Sequence, residues 1–144
     1  MRIRSARGTD AEAVGELLEQ LGYPQDGPAA VAARIRTWVG DPAGAVYVAD
    51  DEGDLQGVVA VHVCPFFERE GAWGRIVALV VSERARGRGV GSRLVAAAES
   101  FAERHGCVRM EVTSADRRTG AHRFYERHGY ADETGSSSRF LRDL

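Results

Sequence analysis

The sequence predicts an α/β (α+β) domain running as one unit over residues 1–144, built on a single mixed, mostly antiparallel sheet of about six to seven strands flanked by about four helices. Three observations lead there. Residues 76–81 form an unbroken apolar run rich in valine, bounded by Gly74 and Ser82, which reads as a strand buried on both faces. Leu94, Val95, Ala98, Phe101 and Ala102 then recur at helical spacing and make one apolar face. The order of elements along the chain, β-α-α-β-β-β-α-β-α-β-β, is that of one mixed sheet covered by helices.

Taken in order, residues 1–5 around Ile3 form a short first strand. Thr9 and Glu12 have capping-box spacing, with Thr9 as N-cap, and Ala13, Val14, Leu17, Leu18 and Leu21 make a helical stripe ended by Gly22. Glu12 and Glu16 read as its solvated face. Pro28 is suited to the first position of a second helix, 28–39, with Val31, Ile35, Trp38 and Val39 on its apolar side and Gly40-Asp41-Pro42 as its stop. A hairpin follows: strands 45–49 and 55–63 join through a turn in which Gly53 is available for positive φ. Pro65 lacks a donor, so 65–71 reads as a connection rather than a central strand. After the helix that ends near His105 and Gly106, Val108, Met110 and Val112 alternate with polar residues as in a half-exposed strand. Residues 118–128 read as a helix with Ala121, Phe124 and Tyr125 on one side, ended by Gly129. Residues 130–134 and 138–141, around Gly135-Ser136-Ser137, are expected to close the sheet as a hairpin.

Composition narrows the function. A net charge of −2 offers nucleic acid no general attraction, although a local basic turn can still hold an anion. No apolar stretch is long enough for a membrane span, and residues 1–7 have no signal-peptide core, so a cytoplasmic location is expected. Cys64 and Cys107 lie in apolar strand contexts without metal-like spacing; both are expected to be buried free thiols, and no metal is implied.

The chemistry is concentrated in residues 82–91, a turn with three glycines and three arginines between a strand and a helix start. A helix N-terminus leaves backbone N–H groups without intrahelical partners and carries partial positive charge. Glycines let a phosphate approach those groups, and Arg86 and Arg88 add charge and bidentate donors. A Walker A loop is excluded because the chain has no lysine, and the dinucleotide fingerprint fits only loosely, Gly91 coming one residue early. The segment does match R-x-x-G-x-G-[ST], as Arg86-Gly87-Arg88-Gly89-Val90-Gly91-Ser92. It resembles the pyrophosphate-binding motif of the GNAT superfamily of acyl-CoA N-acyltransferases. A second segment, Ala121 to Tyr130 (A-H-R-F-Y-E-R-H-G-Y), is similar to that family's A-x-x-[FL]-Y-E-[KR]-x-G-[FY]. The element order resembles the GNAT fold over nearly the whole chain.

The resemblance implies acetyl-CoA as co-substrate and direct acetyl transfer to an amine, a small molecule or a peptide N-terminus, without a covalent enzyme intermediate. In such enzymes the fourth and fifth strands splay and the pantetheine arm lies between them. Carried over, Leu79, Val80 and Val81 offer backbone groups to the arm and thioester. The N–H groups of Gly87, Arg88, Gly89, Val90 and Gly91, with Arg86 and Ser92, hold the pyrophosphate. Tyr125 protonates the leaving thiolate. Read without the motif, Tyr125 is a core aromatic with its hydroxyl bonded to backbone. Two positions depart from the family pattern: Arg118, readable as a cofactor contact or as a solvent-facing residue, stands where an asparagine is frequent, and Val77 where many members carry a strand-four carboxylate.

A base is still useful, since an alkyl amine of pKa near ~10 is about 0.1% neutral at pH 7. Glu68 and Glu70 in the loop before the fourth strand, His62 and Glu111 are the candidates, each also readable as an ordinary polar residue. His122 and His128 read as surface residues. For the acceptor, Tyr23, Trp38, Phe66, Phe67 and Trp73 beside Glu68 and Glu70 favour a cationic amine. Family members are often homodimers, and an exposed closing-hairpin edge would offer a two-fold contact. A reading of another class is a catalytically silent acyl-CoA-binding module; others are a different acceptor or acyl chain, and nucleotide binding at the same turn.

Overall fold

A computed structural model describes residues 1–114 and 118–144. The chain forms two compact units, 1–113 and 114–144.

The first unit is a five-stranded sheet in the order β1-β2-β3-β4-β5. Its strands are β1 (Arg2–Ser5), β2 (Gly44–Asp51), β3 (Asp54–Pro65), β4 (Ala72–Val81) and β5 (Cys107–Val112), and its helices are α1 (Ala11–Leu21), α2 (Pro28–Val39) and α3 (Val90–Arg104). All neighbours are antiparallel except β4 and β5, which run parallel. One face packs on α1 and α2, where Val14, Leu17, Val31 and Ile35 meet Val46, Val48, Val58 and Val80. The other face packs on α3 at van der Waals limits. A Cβ on Gly57 would lie 2.8 Å from Leu94 Cδ1, and one on Gly74 would lie 2.8 Å from Ala102 Cβ and Met110 Sδ.

Several expectations need correction here. Helix α1 does not begin on a Thr9 cap. A 3-10 turn, Gly8–Asp10, precedes it, and the Asp10 carboxylate accepts the Arg7 N–H at 2.7 Å. Arg4 chelates Asp10 with two bonds of 2.9 Å, which draws Asp10 inward and leaves Thr9 exposed. Val39 and Val108 are exposed rather than packed. Cys64, next to the last residue of β3, is exposed, and Cys107 is half-buried with its thiol pushed up by burial. Strand β4 is longer than its apolar run and is not buried on both faces, for Val77 is 52% exposed.

The second unit holds α4 (Thr119–Arg127). Phe124 meets Tyr125 edge-on at 5.4 Å, and His128 is half-buried, its ring tilted on Phe124 at 4.2 Å and its Nδ1 bound to the Phe124 carbonyl. His122 is half-buried too. The expected closing hairpin is absent: a single bridge joins Thr134 and Ser137, so the described sheet has five strands rather than six or seven. The cause is local bonding. Ser136 donates its N–H and its hydroxyl to the Glu133 carbonyl, and the Thr134 N–H bonds Asp132, so these polar groups close turns on themselves. Among the described residues, no helix is long and apolar enough to cross a membrane.

Candidate functional site

Strand β4 is paired along its whole length with β3 but only in part with β5. The last β4–β5 pair is Ile76↔Val112; from Val77 to Val81, β4 has no partner strand on that side among the described residues. The fork opens at a bulge. Ala60 faces Ala78 and Val61 faces Ile76, so Val77 is the extra residue and its side chain is displaced outward. A fork at a bulge leaves a run of backbone N–H and C=O groups for an extended ligand.

The free edge leads into the glycine-rich turn, whose base is firmly tied. The N–H of buried Ser82 bonds the Gln56 carbonyl at 2.8 Å, Glu83 N–H bonds Gln20 Oε1 at 3.1 Å, and Arg84 joins the Ser82 hydroxyl to Asp54. Beyond this base, Gly87 and Gly89 take φ of 80° and 76°, the left-handed region, and a Cβ on either would meet nothing within 4 Å. Packing does not require glycine at these two positions; the backbone conformation does. Gly89 is the N-cap of α3, a helix of 15 residues with no side chain capping it. Val90 and Gly91, expected in the turn, form the first two positions of that helix, so the turn is two residues shorter than the sequence reading placed it. Arg86 and Arg88 are exposed and, among the described residues, make no ion pair. The residues present therefore fit a diphosphate: left-handed glycines, a helix start with no side-chain cap and two exposed guanidiniums.

The candidates for proton transfer separate. Glu68 and Glu70 are exposed on the loop between β3 and β4. His62 and Glu111, by contrast, fall in one row with a residue that sequence reasoning passed over. The register pairs His62 with Arg75 and Arg75 with Glu111, across β3, β4 and β5, two residues before the bulge. His62 Nε2 lies 3.0 Å from Asp41 Oδ2, with Trp38 edge-on to the imidazole at 5.6 Å. That hydrogen bond holds the Asp41 carboxyl below its ordinary value. Arg75 Nη1 donates to Glu111 Oε1 at 3.2 Å and Nη2 to the Thr113 hydroxyl at 3.4 Å. Of the aromatics expected to hold a cationic ligand, Tyr23 and Phe67 are exposed, and Phe66 is already in use: it stacks on Trp73 at 5.1 Å, with the Arg69 guanidinium 4.0 Å from the Phe66 ring centre and Arg109 at 5.7 Å. The available signal for the row was Arg75 itself, the one charged residue in β4.

In the second unit, Tyr125 lies in the last turn of α4, half-buried, with Tyr130 edge-on at 5.9 Å. Burial pushes its phenol above the ordinary value, and the charge of Arg118, the N-cap residue of the same helix, pulls the other way.

Comparison with known proteins bears on the fold and the family. The model of the acetyltransferase (GNAT) family matches residues 12–130. Aminoalkylphosphonate N-acetyltransferase of Salmonella typhimurium is 37% identical over 93 residues, 64% of this chain; the chain spans 58% of that protein's length. The structure of a transcriptional regulator from Bacillus halodurans C-125 superposes with a TM-score of 0.87 at 23% identity, covering 99% of both chains. AAC(6')-Iy in complex with the bisubstrate analogue CoA-S-monomethyl-acetylneamine superposes with a TM-score of 0.83 at 20% identity, over 99% of this chain and 97% of that one. With a family model matched over most of its length, the chain belongs to the GNAT family of acetyltransferases.

Proposed function

We propose that the chain, acting as one acetyltransferase domain, moves an acetyl group from acetyl-CoA to a primary amine within a ternary complex. The observation that carries this reading is the continuity of the β4 free edge, Val77–Val81, with the uncapped start of α3. One segment thus supplies both an extended-ligand edge and a diphosphate cradle. In this reading, backbone groups of Leu79, Val80 and Val81 pair with the pantetheine arm. Arg86, Arg88, Ser92 and the N–H groups of Gly87 to Gly91 hold the pyrophosphate. The amine nitrogen attacks the thioester carbonyl, the C–S bond breaks, and the amine proton and the thiolate charge must both be dealt with.

Tyr125 is assigned the proton for the thiolate; a phenol raised by burial stays protonated at neutral pH. For the amine proton, the His62–Asp41 pair and Glu111 flank the fork and are better supported than Glu68 or Glu70, which stand on the exposed loop. The chain's own N–H groups at the bulge are assigned to the oxyanion. A cytoplasmic location and a homodimer complete the proposal.

Calorimetric titration of acetyl-CoA into wild type and a Gly89→Glu/Gly91→Glu variant tests it. The variant puts carboxylates into the cradle and should weaken binding on the order of 100-fold or more. Equal affinities would move the cofactor away from this turn. Binding by wild type with no turnover of any amine would favour a silent acyl-CoA-binding module.

A further inference from the structure

We propose that the acceptor is a small zwitterion, a primary amine with an anionic group a few bonds away, and that Arg75 is the residue that selects it. This rests on the acetyl-transfer reading above.

Position comes first. An acyl group delivered along the β4 edge ends at the fork, beside Val77. Arg75 stands two residues earlier, about 7 Å along the strand at 3.3 Å per residue, in the row formed with His62 and Glu111. Arg75 and Glu111 are 48% and 49% exposed, so an acceptor arriving on that face of the sheet meets them directly. Its amine lies at the fork and its other end at the row.

Chemistry comes second. Two of the guanidinium N–H donors are engaged, one on Glu111 and one on Thr113, which fixes the plane of the group. The remaining donors are left for a bidentate oxyanion. Glu111 stands beside Arg75 in the row and holds the guanidinium by one of those bonds, so the pair presents one charge of each sign across neighbouring strands. Farther along the same face, Arg109 and Arg69 share the Phe66 ring and, among the described residues, make no ion pair. Glu68 and Glu70 stand on the loop that carries Arg69, so the field there is mixed. Selection is therefore assigned to Arg75.

A polycationic acceptor is disfavoured on the same grounds. The Phe66 ring near the row already holds two of the chain's own guanidiniums, and a second ammonium would be set against Arg75. An uncharged alkyl amine would leave the Arg75 donors to water.

The test is acetyl-CoA turnover, read as thiol release, with 2-aminoethylphosphonate, β-alanine, propylamine and spermidine. Wild type, Arg75→Ala and Arg75→Lys are compared, with acetyl-CoA affinity measured for each. Wild type should prefer one of the two zwitterions over propylamine by roughly tenfold or more in kcat/KM, and which one identifies the anion. Arg75→Ala should lose most of that preference while binding acetyl-CoA as wild type does, and Arg75→Lys should restore it only in part, lacking the planar fork. Propylamine or spermidine turning over as well as the zwitterions overturns the proposal, as does an Arg75→Ala variant that slows all four equally. Acetyl-CoA binding without turnover of either zwitterion also overturns it, whereas wild type that binds no acetyl-CoA removes the transferase reading itself.

Discussion

Tyr125 and Arg118 are coupled through charge on one helix, and the coupling has a sign that can be measured. Burial raises the Tyr125 phenol above its ordinary value of 10.0, and Arg118 opposes the rise by favouring the phenolate. Removing the cation in Arg118→Ala should therefore move the Tyr125 titration further up, seen as a later tyrosinate absorbance in a difference titration against Tyr125→Phe. A downward move would mean that Arg118 acts on Tyr125 by something other than its charge. For the reaction, Tyr125→Phe should lower kcat by about tenfold to a thousandfold with acetyl-CoA affinity unchanged; equal rates would take the phenol out of the mechanism. Both residues were legible from a motif spacing. Arg75 was not, although it interrupts an apolar strand, because its importance comes from which residues flank it. The bulge at Val77 and a register shift between β4 and β5 at Ala72/Trp73 decide that, and neither has a marker in the sequence.

At the scale of elements, the fork depends on how closely α3 approaches the sheet. Gly74 sits opposite Ala102 and Met110. Gly57 sits opposite Leu94, and the Val80 carbonyl lies 2.9 Å from the point a Cβ on Gly57 would occupy. Gly74→Ala should cost about 1–3 kcal/mol of stability by overpacking. Acetyl-CoA affinity should fall with it, since the strain acts close to the bulge; denaturant titration and calorimetry together read both. A variant as stable as wild type would show that α3 can recede freely. The element boundaries that the sequence marked well are those with covalent punctuation: α2 runs Pro28–Val39 because Pro28 presets its first φ and Gly40-Asp41-Pro42 prevents continuation. The expected hairpin after Tyr130 fails for the complementary reason. Its alternation was weak, and serine, threonine and aspartate side chains satisfy the backbone locally.

Across the whole first unit, Arg4 is the clasp that joins three elements. It bonds Asp50 on β2 at 2.9 Å and Asp10 at the entry to α1, and the three side chains are 14%, 12% and 9% exposed. The Arg4 hydrogen bonds, against the opposing effect of burial and with help from the Arg7 N–H, hold Asp10 below its ordinary 3.8. A carboxyl with a depressed folded value contributes stability that is complete above that ordinary value and is lost as pH falls through the lower one. Arg4→Met leaves Asp10 without its cation and should cost about 1–3 kcal/mol at pH 7. Because protonation of Asp10 removes the same interaction from wild type, the gap between the two proteins should narrow in urea titrations as pH is lowered below the ordinary carboxylate value. A gap that stays constant with pH would assign the loss to packing of the Arg4 stem instead. The clasp lies at β1 and β2, the far side of the sheet order from the β4–β5 fork, so folded Arg4→Met should still bind acetyl-CoA like wild type. Stability and the site are then carried by opposite edges of one sheet, and the same variant that weakens the first leaves the second intact.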